Sequence, residues 1–387
     1  MSDEPPEGLT RVAGDAGDAG DRIVPVAMPK WGLSMKTGKI TEWLVAEGGL
    51  VEEGDDLAEI DTDKIAGTLE APGAGVLRAI VAPSGTAAPV GCAIALLGPA
   101  DVPQAAIDLA VADARSRLAR GEPAEGDGGG PVTGTVEVAG RSLAYATEGD
   151  GAETVLLLHG YGGDKDSWLF VHELLAARHT VYALDLPGHG DSTKDVGAGT
   201  LDVLADAVSG FLDVLGLDRV HLVGHSLGGA VALAVASRQR PRRIRSLTLV
   251  APAGLGAPVD RAYLRGFATA RTRRELKPQL LQLFADETKV TRQLVDDLLK
   301  YKRLDGVPTA LSALLPMLEE LDLTGEEPPP VPVRVVWGSG DRVIPAPESV
   351  VLKGELIEVR QVGAAGHMVH MEAPAEVTSA VEAAMGT

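Results

Sequence analysis

Residues 38–97 of this 387-residue chain contain an internal repeat with an offset of 37 residues. The offset aligns glycine with glycine, and apolar residue with apolar residue, at seven positions. The aligned pairs are Gly38 and Gly75, Ile40 and Leu77, Trp43 and Ile80, Gly48 and Gly85, Gly54 and Gly91, Leu57 and Ile94, and Ile60 and Leu97. Because turn residues and core residues recur in one register, we predict two similar small sheets packed face to face with pseudo-twofold symmetry. The expected structure is a small all-β barrel or sandwich.

One lysine, Lys64, lies near the junction of the two repeats, in the segment Glu59-Ile-Asp-Thr-Asp-Lys-Ile65. This placement predicts that Lys64 stands at the tip of an exposed hairpin, at one end of the symmetry axis. A modifying enzyme could reach its amine there, and an attached group could sweep through solvent. Most lysines are simply solvated surface charges, so the neighbouring motifs decide between the two interpretations.

Four motifs around Lys64 resemble the lipoyl domains of 2-oxo-acid dehydrogenase complexes. They are Met28-Pro-Lys-Trp-Gly-Leu-Ser-Met35, Glu52-Glu-Gly-Asp55, Leu57-Ala-Glu-Ile-Asp-Thr-Asp-Lys64 and Gly73-Ala-Gly-Val-Leu77. Biotin-carrying relatives of these domains have Met-Lys-Met at the hairpin, whereas this chain has Asp63-Lys64-Ile65. The resemblance implies a lipoyl-type domain over residues 23–99, with lipoic acid attached covalently to Lys64.

The chain is long enough for two domains with connecting segments. Residues 1–22 are rich in Gly, Ala and Asp and are predicted to be a disordered tail, since they cannot bury apolar surface. Residues 100–131 are predicted to be a linker with one short helix, because apolar residues recur at helical spacing within Gln104–Arg120. That helix is either a spacer or pad on a neighbouring domain, or a docking segment for another subunit.

From residue 132 to residue 387, predicted strands and helices alternate. The apolar runs rich in β-branched residues are Thr154–Leu158, Thr180–Leu184, Arg219–Val223, Ser246–Val250, Val333–Val336 and Leu356–Val362. Such runs are typical of parallel strands that are buried on both faces of an α/β sheet. Residues 257–327 interrupt the alternation with helical sequence only, which predicts a helical cap inserted over the sheet.

One of these strands leads directly into Gly224-His-Ser-Leu-Gly228, and small apolar residues that favour a helix follow. This order of strand, turn and helix is the context in which a G-x-S-x-G elbow exposes its serine. The small residues allow the strand and the helix to approach closely. The motif therefore identifies Ser226 as a candidate nucleophile.

A serine hydroxyl is a poor nucleophile unless a base accepts its proton and a third group orients that base. On this kind of sheet the expected chain order is serine, then acid, then histidine. Asp341 follows a later strand, whereas the segment after Ser246–Val250 offers no acid. His367 follows the last strand, and His370 is the alternative base. We therefore predict a catalytic triad of Ser226, His367 and Asp341.

An acyl-transfer site also needs donors for the oxyanion, and the loss of one donor costs about 10²–10³ in rate. The backbone N–H of Leu227, directly after the serine, is one candidate. The second is the backbone N–H of Tyr161, in the glycine-rich loop after the first parallel strand. His159, His189 and Asp185 are expected to shape loops rather than to take part in chemistry.

Residues 132–387 resemble the α/β-hydrolase superfamily, and most closely its serine hydrolases with a helical cap. Combined with the lipoyl-type domain, they resemble the acyltransferase components of acetoin dehydrogenase complexes, whose catalytic domain is hydrolase-like. The resemblance implies a dihydrolipoyllysine-residue acetyltransferase that moves acetyl groups between lipoyl-Lys64 and coenzyme A. Its implied partners are a thiamine-diphosphate component that cleaves acetoin and a dihydrolipoamide dehydrogenase. A homo-oligomer is left open.

Three alternatives remain open at the level of sequence. The coenzyme A thiol could attack the thioester directly, with His367 as its base and no covalent intermediate. The chain could instead be a serine hydrolase, such as an esterase or a carbon–carbon hydrolase, that is tethered to a complex by its lipoyl domain. It could also be a lipoyl carrier or scaffold whose hydrolase domain is inactive.

The cap sequence is basic within an acidic chain. Residues 257–303 contain eleven Lys and Arg against six Asp and Glu, whereas the whole chain has a formal charge of −20. We predict that Arg271, Arg273, Arg274 and Lys277 contact the phosphates of coenzyme A. The same surface could instead attract the acidic lipoyl domain, or could be an ordinary solvated helix face.

Charge and composition exclude several classes of protein. Nucleic-acid binding needs a basic face, which this acidic chain lacks as a whole. A single cysteine, Cys92, cannot form an internal disulfide and fits a reducing compartment. The acidic N-terminus has no apolar run, so neither a signal peptide nor a membrane span is predicted. We expect a cytoplasmic protein that binds neither nucleic acid nor membrane, and we predict no metal site.

Overall fold

The structure is a computed structural model that describes residues 22–29, 37–61, 66–122, 131–238 and 243–386. The chain divides into two compact units, residues 1–130 and residues 131–387, and each is described by itself. The predicted disordered tail up to residue 21, most of the glycine-rich linker, and Lys64 lie outside the described residues.

Eight short strands are described in the first unit. They are β1 (Val24–Ala27), β2 (Thr37–Trp43), β3 (Leu50–Val51), β4 (Asp56–Asp61), β5 (Ala66–Glu70), β6 (Gly75–Ile80), β7 (Ala87–Pro89) and β8 (Ala93–Gly98). These strands form two four-stranded antiparallel sheets, in the orders β1-β8-β6-β3 and β5-β4-β2-β7. The apolar positions of the repeat that are at most 2% exposed fill one common core, and these are Ile40, Leu57, Ile60, Leu77, Ile94 and Leu97. The predicted all-β sandwich is confirmed.

The repeat is visible in the backbone hydrogen bonds of the two halves. The Gly48 amide donates to the Leu77 carbonyl over 2.7 Å, and the Gly85 amide donates to the Ile40 carbonyl over 2.7 Å. Gly48 and Gly85 have φ angles of +89° and +88°, a conformation that glycine adopts without steric cost. The 37-residue offset therefore relates equivalent turns as well as equivalent sequence.

The helix predicted after the lipoyl-type domain is α1 (Gln104–Arg120), and it packs on the first unit. Its buried Ile107 and Ala114 lie in a small apolar cluster with Ala79 and Leu96 of the β1-β8-β6-β3 sheet. Because these two strand residues point away from the central core, α1 covers the outer face of that sheet. In the described contacts, α1 therefore packs as a cover on one sheet of the first unit.

The second unit is built on a sheet with nine described strands. They are β9 (Val132–Val138), β10 (Arg141–Glu148), β11 (Thr154–Leu158), β12 (Thr180–Leu184), β13 (Val220–His225), β14 (Ile244–Val250), β15 (Val333–Gly338), β16 (Ser349–Leu352) and β17 (Glu355–Val362). Their order is β9-β10-β12-β11-β13-β14-β15-β17-β16. The six strands from β12 to β17 in this order pair in parallel, while β9, β10 and β16 pair antiparallel at the edges. All six predicted apolar runs fall in the parallel part, which confirms the predicted α/β sheet.

Helices pack on both faces of this sheet. The described helices are α2 (Leu169–Ala176), α3 (Leu201–Val214), α4 (Leu227–Arg238), α5 (Arg261–Thr269), α6 (Arg273–Leu280), α7 (Arg292–Tyr301), α8 (Val307–Glu320), α9 (Val369–Glu372) and α10 (Pro374–Met385). One face packs on α2 and α10, and the other packs on α3 and α4. Between β14 and β15 come α5 to α8, which we call the cap. None of the helices in the described ranges combines the length and apolar character that crossing a bilayer requires.

Candidate active site

The serine of the G-x-S-x-G motif lies at the turn between β13 and α4. Ser226 has a φ angle of +50°, in the left-handed region that residues other than glycine seldom adopt. Its amide donates to the Val250 carbonyl over 3.0 Å, and its carbonyl accepts from the Gly229 and Ala253 amides over 3.0 and 3.1 Å. These backbone bonds hold the strained turn from the sheet side and from the helix side.

Glycines allow the backbone to pass close to this turn. A Cβ atom on Gly224 would lie 2.3 Å from the Gly228 carbonyl oxygen, and one on Gly228 would lie 2.2 Å from the Leu158 carbonyl oxygen. Both glycines of the motif are therefore required for the close packing of β11, β13 and α4. A Cβ on Gly160 would lie 3.2 Å from Ser226 Cβ. Because this loop lies against it, the serine is buried, although the motif predicts an exposed one.

Asp341 and His367 form a hydrogen-bonded pair at the carboxyl end of the sheet. His367 Nδ1 lies 2.7 Å from Asp341 Oδ2. Since a carboxylate only accepts, Nδ1 carries the proton, and Nε2 is the ring atom that can accept one. Asp341 Oδ1 accepts the Val343 and Ile344 amides over 2.8 and 2.9 Å. Trp337 Nε1 adds a hydrogen bond of 3.0 Å to Oδ2.

Burial and hydrogen bonding act in opposite directions on the Asp341 carboxylate. Burial raises its pKa, but the neighbouring His367 and the hydrogen bonds from His367, Ile344 and Val343 outweigh that effect. The pKa of Asp341 is consequently lower than its ordinary value of 3.8. The carboxylate stays ionised at neutral pH, so it can stabilise a positive charge on the imidazole without taking the proton itself.

His225, the residue before the serine, connects Ser226 with His367. Its Nε2 donates to the main-chain carbonyl of His367 over 3.0 Å, and the two imidazole rings lie 4.7 Å apart. No hydrogen bond joins Ser226 Oγ to the His367 side chain in the part of the chain that the structure describes. Catalytic hydrogen bonds of this kind often tighten only when a substrate is bound.

The alternative base, His370, is packed away from Asp341. Its ring contacts His225 and Trp168, with centroid distances of 4.5 and 4.4 Å. It is fully buried, and burial lowers its pKa to about 3. Neither of its nitrogens has a hydrogen-bond partner among the described residues. In the structure, Asp341 is therefore hydrogen-bonded to His367, whereas His370 is a buried packing residue.

The two predicted oxyanion donors belong to segments that adjoin the serine. Leu227 is the first residue of α4 and follows Ser226 directly. Tyr161 follows Gly160, the residue whose backbone lies against the Ser226 side chain. Within the described ranges, neither the Leu227 amide nor the Tyr161 amide donates a hydrogen bond to the protein. Both N–H groups are consequently available to a ligand oxygen.

The side chain of Tyr161 ties the candidate oxyanion loop to the cap. Its hydroxyl donates to the Leu311 carbonyl of α8 over 2.8 Å. Its ring lies 5.9 Å from the ring of Phe267 in α5, measured between centroids. All three residues are buried. Two cap helices thus cover the loop on which one oxyanion donor is predicted.

Asp185, His159 and His189 make the loop contacts expected of them. Asp185 Oδ1 accepts the Lys165 amide over 2.6 Å, and Oδ2 accepts Lys165 Nζ over 3.0 Å. His159 Nε2 accepts the Leu186 amide over 3.0 Å. Burial lowers the pKa of His189 to about 3, so this ring is neutral. These residues stabilise the loops that follow β11 and β12.

The predicted lipoyl-lysine, Lys64, lies outside the described residues, but the strands that flank it are described. β4 and β5 pair antiparallel as far as Asp61 and Ala66, so residues 62–65 join two adjacent strand ends. Thr68 Oγ1 donates to Glu59 Oε1 over 3.0 Å across this hairpin. A lysine on a short connection between paired strand ends fits a covalently carried prosthetic group.

Only two of the four predicted coenzyme A contacts line a common cleft. Arg271 and Arg273 line a cleft on the cap, whereas Arg274 and Lys277, which belong to α6 with Arg273, do not line it. Arg273 is also paired with Asp296, since its Nη2 lies 2.7 Å from Oδ2 of that residue. The cleft therefore retains Arg271 and Arg273 as predicted coenzyme A contacts and leaves Arg274 and Lys277 outside it.

Two residues of the site were not identified from the sequence. Trp337 hydrogen-bonds the acid, and His225 hydrogen-bonds the backbone of the candidate base. His225 stands inside the G-x-S-x-G motif, which is a signal of its proximity to the serine, but its contact with His367 requires the fold. Trp337 is distinguished in the sequence only as the residue that directly follows the predicted strand Val333–Val336.

Comparison with known proteins identifies a matching family for each of the two units. The sequence model of the alpha/beta hydrolase family matches residues 155–380, and the model described as biotin-requiring enzyme matches residues 24–97. A dihydrolipoyllysine-residue acetyltransferase component of the acetoin cleaving system from Pseudomonas putida is 43% identical over 361 residues. The match covers 92% of this chain and 96% of that relative. The chain belongs to the family of acetoin-cleaving acetyltransferase components.

Other members and neighbours agree with that membership. The acetoin-cleaving acetyltransferase component of Cupriavidus necator is 44% identical over 360 residues, which cover 90% of this chain and 94% of the relative. The crystal structure of a bacterial membrane phospholipase A superposes with a TM-score of 0.57 at 28% identity. That superposition covers 66% of this chain and 86% of the phospholipase, in line with an α/β-hydrolase fold.

Proposed function

We propose that this member of the acetoin-cleaving acetyltransferase family moves an acetyl group between a lipoyl-lysine at Lys64 and coenzyme A, with Ser226 as the nucleophile. Similarity to two acetyltransferase components over nearly the whole chain supports the reaction class. The 2.7 Å hydrogen bond between His367 and Asp341, beside the strained turn of Ser226, is the observation that carries the assignment of roles.

In the first half-reaction, His367 Nε2 accepts the proton of Ser226 Oγ while Oγ attacks the carbonyl carbon of an acetyl thioester. The ionised Asp341 stabilises the imidazolium that forms. The amides of Leu227 and Tyr161 bind the oxyanion of the tetrahedral intermediate. The carbon–sulfur bond then breaks, the departing sulfur takes the proton from His367, and acetyl-Ser226 remains.

The second half-reaction repeats these steps with the thiol of coenzyme A. His367 Nε2 accepts the thiol proton, and the sulfur attacks the carbonyl carbon of acetyl-Ser226. The same two amides bind the second oxyanion. The bond to Ser226 Oγ then breaks, Oγ recovers its proton from His367, and acetyl-coenzyme A is released. The protein returns to its starting state.

Lipoic acid on Lys64 would supply a mobile thiol that carries the acetyl group as a thioester. The chain contributes the β4–β5 hairpin, whose strand pair ends at the exposed Asp61, immediately before the connection that contains Lys64. An exposed strand end is compatible with an attached arm that moves through solvent. This arrangement is what delivery to a separate catalytic unit requires.

Water competes with coenzyme A for an acetyl-serine, so the catalytic unit has to exclude it. Phe267 and Leu311 of the cap are buried against Tyr161, and the Tyr161 hydroxyl is itself hydrogen-bonded to the Leu311 carbonyl. This contact supports the proposal that the cap closes over the oxyanion loop. Such closure favours transfer to a bound thiol over hydrolysis.

The relatives are components of acetoin cleaving systems, which implies that other components work with this chain. We propose that a thiamine-diphosphate enzyme supplies the acetyl group, because a two-carbon fragment of acetoin has to be loaded onto the arm. A dihydrolipoamide dehydrogenase would follow, because transfer leaves a dithiol that has to be reoxidised. We place the chain in the cytoplasm, where its single buried cysteine, Cys92, would stay reduced.

Incubation of the full chain with acetyl-coenzyme A and dihydrolipoamide tests the proposal. Both acetyl-dihydrolipoamide and free acetate are measured. We expect transfer to exceed hydrolysis, and we expect Ser226→Ala to abolish transfer. Hydrolysis without transfer would assign the chain to the serine hydrolases. If the unaltered chain catalyses neither reaction, the remaining interpretation is a lipoyl carrier or scaffold.

A further inference from the structure

The cap contains a basic cleft that the transfer steps above do not use. Its volume is about 360 Å³, and it is formed by residues at and just before the start of α6 and by residues from the middle of α7 to just beyond its end. The lining residues are Arg271, Thr272, Arg273, Asp296, Leu299, Lys300 and Arg303. Four cationic side chains stand against one carboxylate, which gives a net charge of +3 in a chain of −20. This local sign is opposite to that of the whole protein.

Two of the four cations are not neutralised by the protein. Arg273 is paired with Asp296 through two hydrogen bonds, and Lys300 Nζ lies 3.4 Å from a carboxylate of its own helix. Arg271 and Arg303 have exposed side chains that make no ion pair and no side-chain hydrogen bond within the described ranges. Their guanidinium groups are therefore open to a ligand.

A fifth cation is buried next to the cleft. Lys302 is 2% exposed, and its Nζ donates to the main-chain carbonyls of Phe267 and Ala268 at the end of α5. Burial and, second, the charge of Arg271 lower the pKa of Lys302 to about 8. Like charges that are near enough to shift a pKa repel one another unless an anion is present. The arrangement favours a ligand with more than one negative charge.

The chemistry of the lining favours a phosphate monoester. Guanidinium groups bind phosphate oxygens through paired hydrogen bonds. Thr272 Oγ1 accepts the Glu275 amide over 3.4 Å, so its hydroxyl proton remains for a phosphate oxygen. Leu299 adds an apolar wall that a ribose or purine can contact. A dianionic phosphate on a nucleoside matches this combination of charge and apolar surface.

We propose that this cleft binds the 3′-phosphate of coenzyme A. The inference rests on the proposed function and adds the site that would recognise the acceptor. Contacts connect the cleft with the acyl site, because Lys302 Nζ lies 4.5 Å over the ring of Phe267, which in turn contacts Tyr161. The pantetheine arm separates the thiol of coenzyme A from its 3′-phosphate. A phosphate site on the cap is therefore compatible with a thiol at Ser226.

The cleft also supplies its own matched control. Of the four contacts predicted from sequence, Arg271 and Arg273 line the cleft, and Lys300 and Arg303 line it in addition. Arg274 and Lys277 are exposed cations of the same cap that do not line it. A double variant at Arg271 and Arg303 and one at Arg274 and Lys277 remove the same charge, and all four side chains are exposed.

Steady-state transfer by the full chain to coenzyme A and to 3′-dephospho-coenzyme A tests the inference. With Arg271→Ala and Arg303→Ala combined, we expect the apparent KM for coenzyme A to rise about tenfold or more, because charge-assisted hydrogen bonds to phosphate are lost. The KM for the dephospho acceptor should be unchanged. The Arg274→Ala and Lys277→Ala variant should keep both constants near their unaltered values.

Other outcomes would overturn the inference. An equal increase in KM for both acceptors would show that the cleft does not bind the 3′-phosphate. Unchanged KM values would show that the cleft does not bind coenzyme A. A rise confined to the KM for acetylated lipoyl domain would assign the cleft to that acidic domain instead.

A binding measurement separates this inference from the proposed function. Calorimetric titration of adenosine 3′,5′-bisphosphate into the full chain probes the cleft without catalysis. We expect binding by the unaltered chain that is lost when Arg271 and Arg303 are replaced. Absence of binding by the unaltered chain would contradict the inference, whether or not acetyl transfer is observed. Failure of transfer with intact binding would contradict only the proposed function.

Discussion

His225 Nε2 donates a hydrogen bond of 3.0 Å to the main-chain carbonyl of His367, so the residue before the candidate nucleophile holds the backbone of the candidate base. Asp341 holds the same histidine by its ring, through the 2.7 Å hydrogen bond to Nδ1. His367 is thereby fixed at two points. The ring atom left for proton transfer is Nε2, which is the atom that the proposed mechanism uses.

Replacement of His225 by phenylalanine keeps a ring against His367 and removes the donor. We expect kcat for acetyl transfer to fall about fivefold, since a hydrogen bond of this kind contributes roughly 1 kcal/mol. The KM for coenzyme A should not change, because the effect acts through positioning. His225→Gln, which restores an N–H donor, should recover part of the rate. Equal losses in both variants would contradict the positioning role.

Asp341→Asn removes the charge that stabilises imidazolium and allows the wrong tautomer of His367. Transfer should fall by about 10⁴ in kcat, which is the typical loss when the orienting acid of a serine triad is replaced. The melting temperature, measured by circular dichroism, serves as the control for folding. A folded Asp341→Asn variant with an unreduced rate would exclude Asp341 from the triad.

Buried histidines should make the catalytic unit sensitive to acid. Burial lowers the pKa of His370 and His189 to about 3 and that of His172 to about 4, from an ordinary 6.5. As the pH falls below 6.5, the unfolded chain takes up protons that the folded chain does not. Stability is therefore lost between about pH 6.5 and pH 3, and is unaffected by these groups above that window.

His370→Phe tests this linkage. Without one of these buried imidazoles, the free energy of unfolding should depend less steeply on pH, by about 1 kcal/mol per pH unit between about pH 5 and pH 6. Urea denaturation at the two pH values, followed by tryptophan fluorescence, measures the slope. The same slope in the variant and in the unaltered chain would show that His370 does not remain neutral when folded.

Gly160→Ala tests how closely the candidate oxyanion loop approaches the serine. The new Cβ would lie 2.7 Å from His225 Nδ1 and 3.2 Å from Ser226 Cβ, so the loop has to move. The Tyr161 amide would move with it, and we expect transfer to fall by about 10²-fold. Gly163→Ala in the same loop is the milder control, since its nearest atom is 3.3 Å away. Similar losses in both variants would indicate a general disturbance of the loop.

Much of the fold follows from local sequence signals. Gly48 and Gly85 could be recognised as equivalent because the repeat places them in one register, and both adopt positive φ angles. The buried parallel strands were predictable because continuous apolar runs need two covered faces. β9 and β16 were not identified, because edge strands pair on one side and carry more polar, exposed residues. β10 pairs with both β9 and β12 but was not identified either, since only three of its eight residues are buried.

The site was predictable where the chemistry depends on neighbours in sequence. Ser226 and the order of acid and histidine follow from motif and strand positions. His367 rather than His370 reaches Asp341, and this pairing depends on packing between distant segments. The division of the basic residues of the cap into those that line the cleft and those that do not is likewise a tertiary property.

The mass of the peptide that contains Ser226 tests the covalent mechanism most directly. The full chain is mixed with an excess of acetyl-coenzyme A, without an acceptor thiol, and quenched with acid before digestion. The proposed mechanism predicts the added mass of one acetyl group on Ser226, and none at position 226 in Ser226→Ala. An unmodified Ser226 peptide from protein that transfers acetyl groups at its full rate would contradict it, and would favour direct attack by the thiol.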